Sequence, residues 1–308
     1  MHDEVFVTGG SGFVGSAVIR ELLARNDTIR ALTHRGKVVA GGERVRSIPA
    51  DVFDSAALCR GMQGCDAVIH IIGIIMENPS RGMTFERVHF EGMKSVVDAA
   101  KAAGVKRYIH MSALGTRAGA RSDYHKTKFK AEQYVRASGL DWTIFRPSLI
   151  HGPGGEFMRL EAAWARHQKP PFLFMPYFGR GILGMGGAGK LQPVFVNDVA
   201  RAFVDAMKNP RTIGEVYPIG GSQVITWPQM HRIVAQAVTG RKRAVIALPA
   251  WYAKLVAAIT PAALLPFNRD QVIMSQEDST CDTTKFTDDF GWEPRAFEET
   301  LNSYAAQL

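Results

Sequence analysis

Apolar residues recur along the first half of the chain in two alternating rhythms. Short runs rich in β-branched residues read as strands: "VFVT" at Val5, "TIRALT" at Thr28, "VRSIPAD" at Val45, "DAVIHIIG" at Asp66, "RYIHMS" at Arg107 and "DWTIFRP" at Asp141. Between them the period lengthens to that of an amphipathic helix. "SAVIRELLAR" sets Val18, Leu22 and Arg25 along one stripe with Ile19 and Leu23 beside it. "GMKSVVDAAKAAG" stops on Gly104, a residue suited to a helix end. Strands separated by helices predict parallel βαβ units, hence an α/β fold with a Rossmann-type doubly wound parallel sheet over residues 1–150.

After Pro147 the rhythm breaks. "RPSLIHGPGGEF" is turn-rich, and the stretch from Pro170 to Lys190 is crowded with Pro, Gly and aromatics. "QPVFVNDVARAFVDAM" returns to a strand and a helix, with Asn197 or Asp198 as the expected N-cap. Residues 191–220 are therefore expected to rejoin the first domain. Residues 151–190 and 221–308 are left to form a smaller C-terminal substrate lobe, with substrate between the lobes near the carboxyl ends of the strands.

The composition narrows the function classes. The chain has 308 residues, 46% apolar and 21% charged, as ordinary soluble domains have. No apolar run is long enough to span a bilayer, and no signal peptide is expected before the first strand. Cys59, Cys65 and Cys281 carry neither metal-ligand spacing nor a disulfide pattern. They point to a reducing cytoplasm and inert thiols, with no metal site. The net charge is +8. The basic residues look scattered, with no arginine-rich arm or zinc-finger signature, which argues against nucleic acid. A polyphosphate cofactor or an anionic membrane surface remains.

The chemistry begins at "VFVTGGSGFVGSAVIREL". Gly9, Gly12 and Gly15 lie between an apolar strand and an amphipathic helix that opens with Phe13 and Val14. A side chain in that turn would block a pyrophosphate, and the helix N-terminus adds partial positive charge toward it. Cofactor choice is read at the end of the second strand, which an NAD site marks with a carboxylate. Here stand Thr33, His34, Arg35, Gly36 and Lys37. A guanidinium can grip a 2′-phosphate where an acid would repel it, so NADP(H) is expected, with Arg35 the main contact. The alternative is a solvated loop arginine. Asp51 and Val52, ending the third strand, are candidates for the adenine edge. "GMGGAGKL" at Gly184 fits part of an NTPase phosphate loop, but Leu191 stands where the magnesium-binding Ser or Thr is needed, so it is read as a loop.

"YHKTK" places Tyr124 and Lys128 one helical turn apart on a stripe continued by Ala131 and Val135. Alone, such a pair is usually chemically inert. Taken in order, "TGGSGFVG", the basic end of the second strand, "MSALG", "YHKTK", "FRPSLIHGPG" and "QPVFVNDVA" resemble the extended or atypical short-chain dehydrogenase/reductase family. Within it the chain is most similar to the branch of the NADPH-binding accessory subunit of respiratory complex I and its bacterial relatives.

The resemblance implies that Tyr124 is the general acid/base, that Lys128 assists it and holds the nicotinamide ribose, and that Ser112 orients a substrate carbonyl. It adds Ile72, Gly73 and Pro147 to the cofactor contacts. It implies that Lys128 and the nicotinamide lower the phenol from its usual ~10. Two positions depart from the family. Met111-Ser112-Ala113 keeps one hydroxyl of the usual Ser-Ser or Ser-Thr pair, and His89 stands where Asn is common, expected as a hydrogen-bonded packing residue.

Three functions follow: an NADP(H)-dependent oxidoreductase on a carbonyl, alcohol or quinone-related substrate; a non-catalytic NADPH-binding accessory protein of a respiratory assembly; or a nucleotide-sugar epimerase/dehydratase, for which Arg159, Arg180 and Lys190 are available but form no recognisable set.

One segment stands apart. "LPAWYAKLVAAITPAALLPF" spaces Trp251, Tyr252, Leu255, Val256 and Ile259 along one helix side. It is expected either to pack on the C-terminal lobe and line a pocket, or to face a membrane or a lipid-like quinone as an interfacial helix. The expected location is the cytoplasm, with at most reversible attachment to the inner face of the membrane.

Overall fold

The structure is a computed structural model that describes residues 3–34, 39, 41–260, 265 and 267–308. It divides into two compact units. The first comprises residues 1–147, 196–219 and 283–292, and the second residues 148–195, 220–282 and 293–308.

The first unit is built on a seven-stranded parallel sheet. Its first six strands are β1 (Glu4–Thr8), β2 (Thr28–Thr33), β3 (Val45–Pro49), β4 (Ala67–His70), β5 (Arg107–Met111) and β6 (Asp141–Pro147). The order is Glu215–Ile219, β6, β5, β4, β1, β2, β3. The chain winds one way from β1 through β3 and the other way from β4 through β6, which opens a crevice at the carboxyl ends of β1 and β4. The register lines up those ends, with Thr8 beside His70 and His70 beside His110. Central strands such as β4 are buried on both faces, which is why they appear as continuous apolar runs rather than alternating ones.

The connecting helices are α1 (Phe13–Ala24), α2 (Ser55–Met62), α3 (Gly92–Ala103) and α4 (Asp123–Arg136). Helix α3 ends on Gly104 at φ 79°, the left-handed cap that its sequence announces. Helix α4 starts on Ser122, whose hydroxyl accepts the His125 N–H at 3.2 Å. One sheet face meets α2, α3 and α4 through Phe6, Leu58, Val68, Val97, Tyr108 and Ala131. Fully burying a large apolar side chain of this kind contributes roughly 1.5–3 kcal/mol. Helix α1 packs beside the helix Val196–Lys208.

Four observations go beyond the sequence reading. The strand of "QPVFVNDVA" is Val194–Phe195, and it pairs with Ile150–His151 in the second unit, not with the large sheet. The seventh strand of that sheet is Glu215–Ile219, paired to β6. The helix after "QPVF" begins at Val196, so Asn197 and Asp198 lie inside its first turn rather than at its cap. The helix Thr284–Phe290 also belongs to the first unit, stacking Phe286 and Phe290 near Tyr217.

The second unit holds three two-stranded sheets. Besides the pair already named, Lys190–Leu191 runs antiparallel to Ile225–Thr226, and Met175–Gly179 runs parallel to Val245–Pro249. The helices Glu156–Ala165 and Trp227–Thr239 are tied by a buried contact, His231 Nδ1 to Glu161 Oε2 at 2.6 Å. Among the described residues no helix is long and apolar enough to cross a membrane.

Candidate active site

The turn after β1 is built so that the backbone can come close to a ligand. Gly9 has φ 76°, a conformation that side chains resist, and its carbonyl accepts the Gly12 N–H at 3.0 Å. A Cβ on Gly15 would lie 2.1 Å from the Gly9 carbonyl oxygen, so only glycine lets α1 start this close to the turn. Phe13 and Val14 open the helix, with Val14 buried. The N-cap is Gly12, which offers no side chain to the first-turn N–H groups and leaves them to a phosphate. These features fit a dinucleotide pyrophosphate.

The turn is joined to the chemistry by a short path. A Cβ on Gly9 would sit 3.2 Å from the Ile72 amide nitrogen, and a Cβ on the next residue, Gly73, would sit 3.2 Å from Lys128 Nζ. Lys128 is buried and donates to the Met111 carbonyl at 3.0 Å. Ser112 follows Met111, is buried, and donates an N–H to the Phe145 carbonyl at 2.7 Å. Pro147 accepts from the Leu114 N–H at 2.9 Å. The folded chain thus gathers Gly9, Gly12, Gly15, Ile72, Gly73, Ser112 and Lys128 at one end of the sheet.

The ring of Tyr124 sits edge-on to His89, with centroids 5.1 Å apart, and edge-on to Phe85 at 5.7 Å. His89 lies in a π-helical turn, Glu86–Glu91, just ahead of α3. Its Nδ1 is 3.0 Å from Thr127 Oγ1, and its Nε2 is 3.0 Å from the Ile74 carbonyl. It is therefore a hydrogen-bonded packing group that clamps the loop after β4 onto α4, beside the Tyr124 ring.

Burial governs the electrostatics. Lys128 is pushed down from 10.5 to about 8, with Glu132 one turn along opposing the shift. Glu132 is itself buried and paired with Arg146, Nε to Oε1 at 2.8 Å. Tyr124 is pushed up to about 12 by burial. In the chain alone desolvation of the phenolate is the cause, and its direction is opposite to the lowering expected from Lys128 together with a bound nicotinamide. His70 is pushed down to about 3 and His89 to about 2, both mainly by burial and then by Lys128, so both rings are neutral.

The lysine shift makes a pH prediction. Between about pH 8 and pH 10 the unfolded chain holds a proton on Lys128 that the folded chain has lost, so this group's contribution to stability rises with pH, while Cys65 and Cys281, both pushed up to about 11 by burial, oppose it. The difference in urea midpoint between the wild type and Lys128→Met should therefore grow by the equivalent of about 2 kcal/mol from pH 8 to pH 10, the cysteine contributions being common to both proteins. Equal slopes in the two proteins would exclude a buried lysine.

At the far end of the crevice, His34 Nδ1 and Asp51 Oδ2 are 3.5 Å apart, and both side chains are exposed. Val52 packs inward, 3.4 Å from where a Cβ on Gly92 would be. Arg35 lies outside the described residues, with Gly36 and Lys37.

Two groups went unnoticed in the sequence. Thr116 Oγ1 is 3.4 Å from Ser112 Oγ, and both residues are buried, so a second hydroxyl stands beside the first although "MSALGT" spaces them four apart. His70 and His110 stack at 5.6 Å on neighbouring strands, and Thr8 Oγ1 is 2.8 Å from His70 Nδ1. A polar residue at the end of two apolar strand runs and next to the end of a third was the available signal.

Comparison with known proteins is in keeping with this geometry. A family model described as NAD(P)H-binding matches residues 9–162, half of the chain. The chain belongs to the NAD(P)H-binding family. Its fold is that of the extended short-chain dehydrogenase/reductases.

Among relatives of this member, a mitochondrial protein of Arabidopsis thaliana named NADH dehydrogenase [ubiquinone] 1 alpha subcomplex subunit 9 is 29% identical over 82% of the chain and 62% of its own length. A protein of Caulobacter vibrioides named ceramide reductase is 34% identical over 49% of the chain and 47% of its own length. The chain spans less than two thirds of these relatives' lengths. Among solved structures, a UDP-glucose 4-epimerase from Thermotoga maritima superposes with a TM-score of 0.75 at 20% identity, covering 99% of the chain and 98% of that structure. At that identity the likeness shows the fold alone.

Proposed function

We propose that the chain is an NADP(H)-dependent oxidoreductase acting on a carbonyl or alcohol. The observation that carries this reading is the unbroken path from Gly9 through Ile72 and Gly73 to the buried Lys128. When bound, the reduced cofactor supplies a hydride to the carbonyl carbon. The Tyr124 hydroxyl gives its proton to the carbonyl oxygen, leaving an alcohol, and regains a proton from solvent. The Ser112 and Thr116 hydroxyls orient that oxygen. The Lys128 ammonium, still mostly charged at neutral pH, holds the ribose and favours the phenolate. The chain alone pushes the phenol up to about 12, which keeps its proton in place to be donated at neutral pH.

A preference for NADPH rests on Arg35 and on the lack of an acid at the end of β2. One charged hydrogen bond to a 2′-phosphate is worth about 1.5–3 kcal/mol, or roughly 10- to 150-fold in Kd. Fluorescence titration should show NADPH binding tighter than NADH by that factor, and Arg35→Asp should erase the difference. Equal affinities in the wild type would refute it.

Mass spectrometry of nucleotide carried by the purified protein, followed by NADPH oxidation against aldehydes, ketones and quinones, tests the activity. The name of the Caulobacter relative puts long-chain, lipid-like carbonyls first in that panel. A second reading is a non-catalytic NADPH-binding accessory protein of a respiratory assembly, favoured by the Arabidopsis relative that aligns with 82% of the chain. Tight NADPH binding without oxidation by any of these substrates would select it. The epimerase reading lacks a basic cluster: Arg159 donates to the Gly154 carbonyl and Arg180 to the Gln276 carbonyl.

A further inference from the structure

In the second unit the strand Met175–Gly179 lies beside Val245–Pro249, so the segments that follow them leave from the same end. One is a glycine-rich loop, the other the helix Ala250–Ile259. They are fastened together: the Trp251 indole N–H donates to the Ile182 carbonyl at 2.9 Å. A Cβ on Gly184 would meet the Pro249 nitrogen at 3.1 Å.

The helix is packed the wrong way round for water. Two of its alanines, Ala250 and Ala253, are buried against Val272, while Trp251, Leu255 and Ile259 are 53%, 52% and 75% exposed. The loop adds Ile182, Leu183 and Met185, each more than 70% exposed. Burying methyls and exposing large side chains is the reverse of what the hydrophobic effect selects in water, and a contiguous patch of this kind marks a surface that something apolar covers.

Charge says what that partner is. The chain has 37 basic and 29 acidic residues. Residues 166–190 and 241–260, the segments that carry this face, hold eight of the basic residues and none of the acidic ones. The rest of the chain is therefore balanced at 29 of each, and the whole net charge of +8 sits on these two segments. Arg180 has an acidic neighbour in Asp278, 3.6 Å away.

We propose that this face seats the protein on an anionic phospholipid bilayer, with the loop and the helix inserted at headgroup depth. Trp251 and the neighbouring Tyr252 are the side chains that favour such an interface, and Arg180, Lys190 and Lys254, carried by the segments that follow the two strands, are the cations placed to meet the lipid phosphates. Ten residues are too few for the helix to cross a bilayer, so it lies in the interface plane. This attachment is independent of the redox chemistry, since every residue in it lies outside the nucleotide-binding unit.

The test is flotation of the full chain with phosphatidylcholine vesicles and with vesicles containing 30% phosphatidylglycerol, at about 20 mM and 500 mM salt. The expected result is recovery with the anionic vesicles at low salt, at least tenfold less at high salt, and little with the neutral ones. Leu183→Glu/Ile259→Glu, both at exposed positions, should lower vesicle binding at least tenfold and leave the circular dichroism spectrum and nucleotide affinity unchanged. Lys190→Glu/Lys254→Glu, in the segments that follow the two strands, should do the same without removing a large apolar group. No binding to anionic vesicles at low salt overturns the proposal. So does a wild-type dimer that the apolar variants dissociate, because a second copy would then cover the face.

Discussion

Replacing Tyr124 by Phe is expected to lower turnover at least 10²-fold and to leave nucleotide affinity within about twofold of the wild type. The ring is held by edge contacts to His89 and Phe85, which phenylalanine keeps. Only the hydroxyl is lost, and in the proposed reaction it acts solely on the reacting oxygen. A loss in kcat with an unchanged Kd is the signature of a group used in the transition state and not in binding. NADPH oxidation measured by absorbance, with Kd by fluorescence, separates the two quantities. Turnover within tenfold of the wild type would remove Tyr124 from the mechanism. Lys128→Ala provides the contrast: it should damage both quantities, because the ammonium is placed to touch ribose and to tune the phenol.

Gly15→Ala should be the most damaging single methyl in the first unit. The added Cβ would lie 2.1 Å from the Gly9 carbonyl oxygen and 2.7 Å from Gly10 Cα. Both are backbone atoms, so no side chain can swing aside. Either α1 moves off the turn or the turn opens, and each outcome spoils the pyrophosphate cradle. Overpacking typically costs 1–3 kcal/mol, and a backbone clash belongs at or above the top of that range. A melting temperature lower by about 10 °C and a loss of NADPH binding of at least 100-fold are expected. Gly119→Ala is the control, since a Cβ there meets nothing within 4 Å. Equal behaviour of the two variants would mean that the turn is not packed as described.

Much of the first unit was legible because its signals are local. A parallel strand buried on both faces must be apolar throughout, so β1, β4 and β5 stand out as runs. A turn that needs positive φ and close approach must be glycine, so Gly9 and Gly15 stand out as well. What was missed depends on distant partners. "EVYPI" is short and contains a proline, and it becomes the seventh strand only because β6 offers an open edge. "QPVF" reads as a strand of the same sheet, yet its partner is Ile150–His151.

The sequence by itself determined the α/β winding, the glycine cradle, the absence of an acid at the end of β2, and the one-turn spacing of Tyr124 and Lys128. Each follows from covalent geometry and a helical or strand period, which neighbouring residues impose on one another. Only the tertiary structure decided the rest. It brought the Thr116 hydroxyl beside Ser112 and placed neutral His89 edge-on to the Tyr124 ring. It turned the large side of the helix Ala250–Ile259 outward, where the sequence allowed either a packed or an exposed face. It also set the sign of the phenol's shift, up to about 12. The physical reason is common to all of these. Burial and desolvation are properties of what the whole chain packs around a group, and the spacing of residues along the chain does not contain them.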